Sequence, residues 1–130
     1  MSGSDDTESL VGILRGTVVS LVRRAGPDLS ARQLAVLLTC YLESEAQTVR
    51  GLAATLDVSK PAITRALDRL AEFDLVRRKT DPTDRRSVLV QRTPKGTAFI
   101  RDLRGIMKDA SKVKPAADAG GRKKGARGAR

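Results

Sequence analysis

With 130 residues, 25 Lys or Arg against 15 Asp or Glu and a pI near 10.6, the chain has room for one small domain and a formal net charge of +10. That charge favours a polyanionic partner, because neutralising phosphates releases their condensed counterions. A single cysteine and no histidine exclude an internal disulfide, the usual zinc-ligand sets and the commonest general base, so we expect no metal, no cofactor and no enzymatic activity.

The N-terminal part of the chain predicts two amphipathic helices. In residues 10–24, five apolar side chains recur near one helical face: Leu10, Leu14, Val18, Leu21 and Val22. Gly26 and Pro27 end this helix, and Ser30 is a natural N-cap for the next one. The second helix is expected to bury Leu34, Leu37, Leu38, Tyr41 and Leu42, and a polar run over residues 43–47 follows it.

Two more helices are predicted on either side of a short turn. Thr48 caps the third helix, which ends at Leu56, and Ser59 caps the fourth. Pro61 lies in the first turn of the fourth helix, where its missing N–H costs nothing. The inward positions of this helix are Ile63, Ala66, Leu67 and Leu70. The two helices are about three residues apart, as a helix-turn-helix requires.

A β-hairpin and a last helix complete the predicted domain. Residues 75–79 and 87–91 read as strands, and the loop 80–86 between them is the candidate wing. Thr93 caps a final helix that begins at Pro94 and ends near Ala110. The predicted fold is mainly α with a small β-hairpin, a winged helix-turn-helix with about five helices plus a wing.

The domain is expected to span residues 1–110, with terminal helices that serve packing or dimerisation. Residues 111–130 are predicted to form a disordered basic tail, which carries 7 Lys or Arg against the single acid Asp118. Such a tail is either a nonspecific tether to phosphates or a solubilising extension.

The positive charge of the domain is concentrated in the fourth helix and the hairpin. Residues 59–95 contain 10 Lys or Arg against 5 Asp or Glu, whereas residues 1–58 contain 5 against 7. The outward face of the fourth helix carries Ser59, Lys60, Pro61, Thr64, Arg65 and Arg69. We expect Thr64 and Arg65 to contact base edges, Pro61 a thymine methyl group, and Lys60 and Arg69 phosphates. The alternative is a solvated helical face.

In the predicted wing, Arg85 or Arg86 is expected to enter the negative potential of a narrow minor groove. Asp84 is expected to form an ion pair with Arg86 that orients the loop. The alternative is a β-hairpin turn that is rich in charge merely because it is exposed. With one Tyr, two Phe and no Trp, the chain lacks a stacking platform for single strands, so double-stranded DNA is the better-matched polyanion.

Several motifs together indicate a family. They are Leu52-Ala53, Leu56, Val58-Ser59, Pro61, Thr64, Arg65, Leu67, Leu70 and Leu75-Val76-Arg77-Arg78, then Asp84, Arg86 and Val90, and finally Thr93-Pro94-Lys95-Gly96. With them, residues 29–96 resemble the DNA-binding core of the MarR family of bacterial transcription regulators. The resemblance implies a dimer on a pseudo-palindromic operator, with the fourth helix in the major groove and the wing in the minor groove. It also implies repression that a small-molecule effector, phenolic or oxidant, relieves.

Two features depart from the family pattern. The final helix is short for a dimerisation arm, and Arg92 replaces the aliphatic residue that commonly precedes the threonine. A homodimer is still expected through Leu10, Leu14, Val18, Leu21, Phe99, Leu103 and Ile106, and the alternative is that these side chains form ordinary intrachain core. Cys40 lies among apolar residues of a helix and is interpreted as a buried thiol rather than a redox sensor.

The sequence thus predicts a sequence-selective, double-stranded-DNA-binding transcription regulator, a MarR-like repressor. The alternatives are a nucleoid-associated or architectural DNA-binding protein and a winged-helix module that binds an acidic protein. No stretch approaches the roughly 20 apolar residues that a membrane span needs, and the acidic residues 1–8 are unlike a secretory signal. We therefore expect no membrane partner and a cytoplasmic location at the bacterial nucleoid.

Overall fold

The computed structural model describes residues 3–112. In this part of the chain the elements are α1 Gly3–Arg23, α2 Ala31–Leu42, β1 Gln47–Thr48, α3 Val49–Leu56, α4 Lys60–Glu72, β2 Val76–Asp81, β3 Asp84–Arg92 and α5 Pro94–Lys112. They confirm the predicted winged helix-turn-helix, which is mainly α with a small antiparallel sheet. The chain divides into two units: residues 27–102, and α1 together with the part of α5 that begins at Leu103.

Side-chain caps fix where the helices of the larger unit begin. Ser30 Oγ accepts a 3.1 Å hydrogen bond from the N–H of Gln33, and Gln33 Oε1 accepts a 2.9 Å bond from the N–H of Ser30, which completes a capping box. Thr48 and Ser59 cap α3 and α4 through their hydroxyl oxygens, as expected. After α3, Asp57 adopts a left-handed conformation with φ 58°, which ends the helix and starts the turn into α4.

The three strands form one antiparallel sheet in the order β1-β3-β2. In the central strand β3, Leu89 pairs with Thr48 of β1 on one side and with Lys79 of β2 on the other. The sequence pattern does not predict β1, because its two polar residues show no alternation and pair with a strand that lies far along the chain. Gln47 is therefore the start of a strand rather than the end of a polar loop.

The core of the larger unit joins the inward faces of the helices to the sheet. The most deeply buried large side chains are Val36, Leu37, Leu52, Ile63, Leu67, Leu70, Leu75 and Val76. The predicted inward positions of α4 are all buried. One predicted core residue is wrong: Leu42 is 60% exposed. The buried stripe of α2 follows Val36, Leu37, Cys40 and Tyr41, so Leu42 falls one position beyond it, on the outer side.

The start of α5 is fixed by Thr93, which is buried and acts as the predicted cap. Its hydroxyl oxygen accepts a 2.8 Å hydrogen bond from the N–H of Gly96, and its O–H donates a 2.7 Å bond to the carbonyl of Asp74. Asp74, with φ 58°, is the second left-handed non-glycine residue of the described chain. The threonine therefore ties the beginning of α5 to the turn that follows α4.

Arg92, the departure from the family pattern, has a structural role. Its Nε donates a 3.0 Å hydrogen bond to the carbonyl of Cys40, and its Nη2 donates a 2.6 Å bond to the carbonyl of Glu43. The guanidinium also lies 5.6 Å from the ring centroid of Tyr41. Carbonyls at a helix C-terminus lack intrahelical donors, and Arg92 supplies donors to the end of α2.

In the smaller unit, α1 has two unlike faces. One face packs on α5: a Cβ added to Gly16 would lie 3.0 Å from the Cβ of Ala110. On the same face, Thr17 is buried and its hydroxyl donates a 2.7 Å hydrogen bond to the carbonyl of Ile13. The other face is apolar and exposed, and it carries Leu10, Val11, Leu14, Val18 and Val22. We call these five residues the α1 stripe.

Both terminal helices are longer than expected. α1 begins at Gly3 rather than near Leu10, and α5 ends at Lys112 rather than near Ala110. Ser111 and Lys112 are thus helical, and the remainder of the predicted basic tail lies outside the described residues.

Candidate nucleic-acid interface

The outward face of α4 is the candidate base-reading surface. Ile63, Ala66, Leu67 and Leu70 anchor the helix in the core, and Ala62 is buried with them. All six residues predicted to face outward are exposed: Ser59, Lys60, Pro61, Thr64, Arg65 and Arg69. Ser59 Oγ accepts a 3.2 Å hydrogen bond from the N–H of Ala62, and Pro61 follows in the first turn, so the exposed N-terminal half of α4 has a fixed backbone.

The cations of this face are not equivalent. Within residues 3–112, Lys60 and Arg65 form no ion pair or hydrogen bond with another side chain, so their charges are available to a partner. Arg69, in contrast, pairs with Glu72 at 3.2 Å and lies 4.7 Å from the ring centroid of Phe73. Its guanidinium is therefore held toward the C-terminal end of α4 and partly neutralised.

Asp68 lies on the outward face as well, one turn after Thr64. Its Oδ1 is 2.8 Å from Nη1 of Arg78, a residue of β2. The sequence places Asp68 on the exposed face of the fourth helix and Arg78 in a strand, but it does not predict a contact between them. The signal for the contact is the alternation of the strand: Val76 is buried, so Arg78, two residues later, projects from the same face of the sheet.

The wing is a tighter hairpin than the predicted seven-residue loop. β2 extends to Asp81 and β3 begins at Asp84, so only Pro82 and Thr83 form the turn. Asp81 Oδ1 accepts hydrogen bonds from the N–H of Thr83 at 2.9 Å and from its hydroxyl at 2.8 Å. These two donors favour the charged carboxylate and hold the pKa of Asp81 below its ordinary value. The aspartate thus locks the turn around the proline.

Asp84 organises the strand that leaves the turn. Its Oδ1 accepts a 3.1 Å hydrogen bond from the N–H of Arg86 and lies 3.7 Å from the guanidinium Nε of the same residue. Its Oδ2 accepts a 3.4 Å bond from the hydroxyl of Ser87. The ion pair expected between Asp84 and Arg86 is present, while the wing-orienting role of Asp84 stays a prediction.

The two wing arginines lie in an irregularity of the hairpin. Asp81 pairs with Asp84, but its neighbour Thr80 pairs with Val88, which leaves residues 85–87 of β3 without partners of their own. A bulge of this kind bends a strand and re-aims its side chains. Arg85 and Arg86 are exposed there, close to the end of the wing. The structure therefore brings two cations together at the place where the sequence predicts a minor-groove contact.

Three further features of the described residues concern metal binding, membrane crossing and the cysteine. Residues 3–112 contain no cluster of three or more Cys, Asp or Glu side chains able to hold a metal ion. None of the described helices combines the length and apolarity that a bilayer crossing requires. Cys40 is buried, and desolvation raises the pKa of its thiol to about 11, although the charge of Arg92 acts in the opposite direction.

One part of the chain is similar to a known protein family. Residues 29–88, which contain α2, the helix-turn-helix and most of the wing, match the model of the MarR family. The match ends within β3 at Val88, the residue that follows the bulged segment 85–87.

Solved structures extend the similarity beyond residues 29–88. The transcriptional regulator Tm0710 from Thermotoga maritima is 22% identical, with a TM-score of 0.70 over 93% of this chain and 81% of that one. The transcriptional regulator BldR from Sulfolobus solfataricus is 28% identical, with a TM-score of 0.57 over 98% and 99%. MepR from S. aureus, solved as a DNA complex, is 17% identical, with a TM-score of 0.61 over 84% and 81%.

Proposed function

We propose that this protein is a transcription regulator that binds double-stranded DNA sequence-selectively as a homodimer. The observation that carries the proposal is the capped, exposed face of α4 with its unpaired Lys60 and Arg65, followed by a wing with two exposed arginines. Side chains near the N-terminus of a helix reach base edges in the major groove most easily. The MarR-family match of residues 29–88 and the solved MepR–DNA complex support the same function.

The proposed DNA-binding residues form two groups: some contact bases and the others contact phosphates. Thr64 and Arg65 contact base edges, since an arginine offers two donors to guanine, and Pro61 contacts a thymine methyl group. Lys60 neutralises phosphates, and Arg85 and Arg86 of the wing enter the minor groove. Arg69 contributes less, because Glu72 already neutralises it.

The homodimer is supported by the α1 stripe. Its exposed fractions are 65% for Leu10, 62% for Leu14, 45% for Val18 and 68% for Val22, in a helix that could bury them only against another surface. A contiguous apolar patch of this kind marks an interface, and a second copy of α1 offers a matching surface. The stripe is not part of the intrachain core in the described structure.

The residues predicted to form the dimer interface differ in how deeply they are buried. Leu103 is only 6% exposed and Phe99 packs against the core of the larger unit, so neither is available to a partner. Leu21 and Ile106 are half-buried. The interface is therefore centred on Leu10, Leu14 and Val18, with Val11 and Val22 beside them. Repression at a promoter in the cytoplasm and its relief by a small-molecule effector rest on the family resemblance and stay predictions.

The deciding experiment is selection of bound duplexes from random DNA, with native mass measurement of the complex. The expected result is one palindromic motif bound by two chains. Uniform coverage of unrelated sequences would instead support the architectural alternative, and no duplex affinity at low salt would support a protein-binding module. Changing Arg65 and Arg86 together to Ala should abolish selection, whereas the control Arg104→Ala/Lys108→Ala, which removes the same charge from α5, should preserve the motif.

A further inference from the structure

One ion pair joins α4, the candidate recognition helix, to β2 at the base of the wing. Arg78 Nη1 of β2 lies 2.8 Å from Asp68 Oδ1 of α4, with side-chain exposures of 32% and 54%. The other ion pairs of this region are local: Asp84–Arg86 lies within β3, Arg69–Glu72 lies within α4, and Asp74–Arg77 joins the turn after α4 to the start of β2. Among the described residues, Asp68–Arg78 is therefore the ionic link between the two surfaces that face DNA.

Its position on α4 is next to the base-reading residues. Asp68 lies four residues after Thr64 and three after Arg65, so the three side chains are neighbours on one helical face. A carboxylate there would repel phosphates unless a cation neutralised it. Arg78 supplies that cation from the sheet, which leaves the charge of Arg65 undiminished.

Its position on β2 is at the base of the wing. Arg78 pairs with Val90, and the hairpin continues beyond it to the turn at Pro82, a rise of roughly 13 Å at 3.3 Å per residue. A small displacement of β2 against α4 would therefore move Arg85 and Arg86 by a larger distance. Since the pair is partly exposed, it contributes little to the free energy of unfolding, so its main effect is on geometry.

We propose that Asp68 and Arg78 are positioning residues that set the wing relative to the recognition helix, and thereby determine how selectively the protein distinguishes its operator from other duplexes. The proposal rests on the proposed function for its DNA readout. The claim that the pair sets the position of the wing applies to the protein without DNA as well, and it is tested separately.

The two residues have opposite effects on nonspecific binding and the same effect on selectivity. Asp68→Asn leaves Arg78 as an additional free cation, so binding to a scrambled duplex should strengthen and its log–log salt slope should steepen by about 0.9. Arg78→Gln leaves Asp68 unneutralised beside Arg65, so binding to every duplex should weaken. Both changes should lower the ratio of operator to scrambled affinity about 3- to 10-fold, because both release the wing.

The first arm of the test measures the wing without DNA. Spin labels are placed at two exposed positions, Thr55 of α3, which packs on α4, and Pro82 at the tip of the wing, in a Cys40→Ala background. Asp68→Asn and Arg78→Gln should each broaden the distance distribution between the labels. Asp74→Asn/Arg77→Gln is the control, because it removes a neighbouring ion pair of 3.6 Å, with side-chain exposures of 53% and 61%, that includes no residue of α4. A distribution that stays as narrow as in the control overturns the proposal.

The second arm measures binding of the full chain to the selected operator and to its scrambled duplex. The proposal is supported if selectivity falls in both single variants but not in the control. The double variant Asp68→Asn/Arg78→Gln should then lose no more selectivity than either single variant. Equal changes on both duplexes overturn it, as does a loss of selectivity that thermal unfolding accounts for. If the unmodified protein shows no selectivity, the proposed function fails, and the label distances still decide whether the pair positions the wing.

Discussion

The hydroxyl of Tyr41 donates a 2.6 Å hydrogen bond to the backbone carbonyl of Leu75, at the point where the chain leaves α4 and enters the sheet. The N–H of Thr93, at the end of β3, donates to the same hydroxyl oxygen at 3.0 Å. One buried side chain of α2 thus contacts both ends of the hairpin that β2 and β3 form.

Removing that hydroxyl should destabilise the domain without changing its surface. In Tyr41→Phe the carbonyl of Leu75 and the N–H of Thr93 lose a buried partner, and we expect a loss of about 1–3 kcal/mol in the free energy of unfolding. Urea unfolding measures it. The control is Thr39→Val in the same helix, whose hydroxyl donates only to the carbonyl of Ala35, so its loss should be about 0.5 kcal/mol or less. Equal losses in the two variants would contradict this account.

Two glycines of α5 should respond oppositely to alanine. A Cβ on Gly96 would collide with the hydroxyl of Tyr41 and the carbonyl oxygen of Leu75, whereas a Cβ on Gly105 meets nothing within 4 Å. We expect Gly96→Ala to cost about 1–3 kcal/mol through overpacking. Gly105→Ala should stabilise by about 0.5–1 kcal/mol, because alanine is the better helix former. Thermal unfolding of both variants checks the pair, and a stable Gly96→Ala protein would show that the junction can relax.

Cys40 should make stability fall at alkaline pH. Burial raises the pKa of its thiol from 9.0 to about 11, so the unfolded chain loses this proton first as the pH rises. The thiol therefore stabilises the fold fully below pH 9, and this contribution, up to about 2–3 kcal/mol, is lost as the pH rises toward 11. Urea unfolding between pH 8 and 11 should show a shallower decline in Cys40→Ala. In the folded protein a disulfide reagent should react slowly; fast reaction at neutral pH would instead indicate an accessible thiol.

Two arginines on one helical face should contribute unequally to DNA binding. Arg65 has no side-chain partner in the described structure, whereas Arg69 is held by Glu72 and Phe73. We expect Arg65→Ala to cost about 1–3 kcal/mol of binding free energy and to relax preference at one base position. Arg69→Ala should cost less and affect all sequences alike. Titrations against single-base variants of the selected operator measure both, and a reversed ranking would place the interface further along α4.

Local signals predict most of the helical scaffold. Ser30, Thr48, Ser59 and Thr93 are side-chain caps in both sequence and structure, because a cap depends on residues only three positions away. The apolar stripe of α2 is less certain from sequence, since Leu42 continues the same spacing and yet lies outside the core. Apolar periodicity predicts which residues share a helical face, but it does not predict which edge of that face the rest of the chain buries.

The parts of the site that sequence does not reveal depend on distant partners. β1 is defined only by its pairing with β3, and the bulge at residues 85–87 by the register between Thr80 and Val88. The ion pair of Asp68 with Arg78 likewise requires the packing of β2 on α4. The candidate cations can be listed from the sequence, and the spacing of Arg69 and Glu72 is a local signal for their ion pair. Only the fold shows that Arg65 has no side-chain partner among the described residues.

The sheet has three strands only as far as the row formed by Thr48, Leu89 and Lys79. Beyond that row the hairpin is a two-stranded ribbon, and ribbons of two strands twist more than wider sheets do. Elastic compliance is therefore concentrated in the outer half of the hairpin, where it would let the two arginines follow the curvature of a groove while the helices beneath keep a fixed frame.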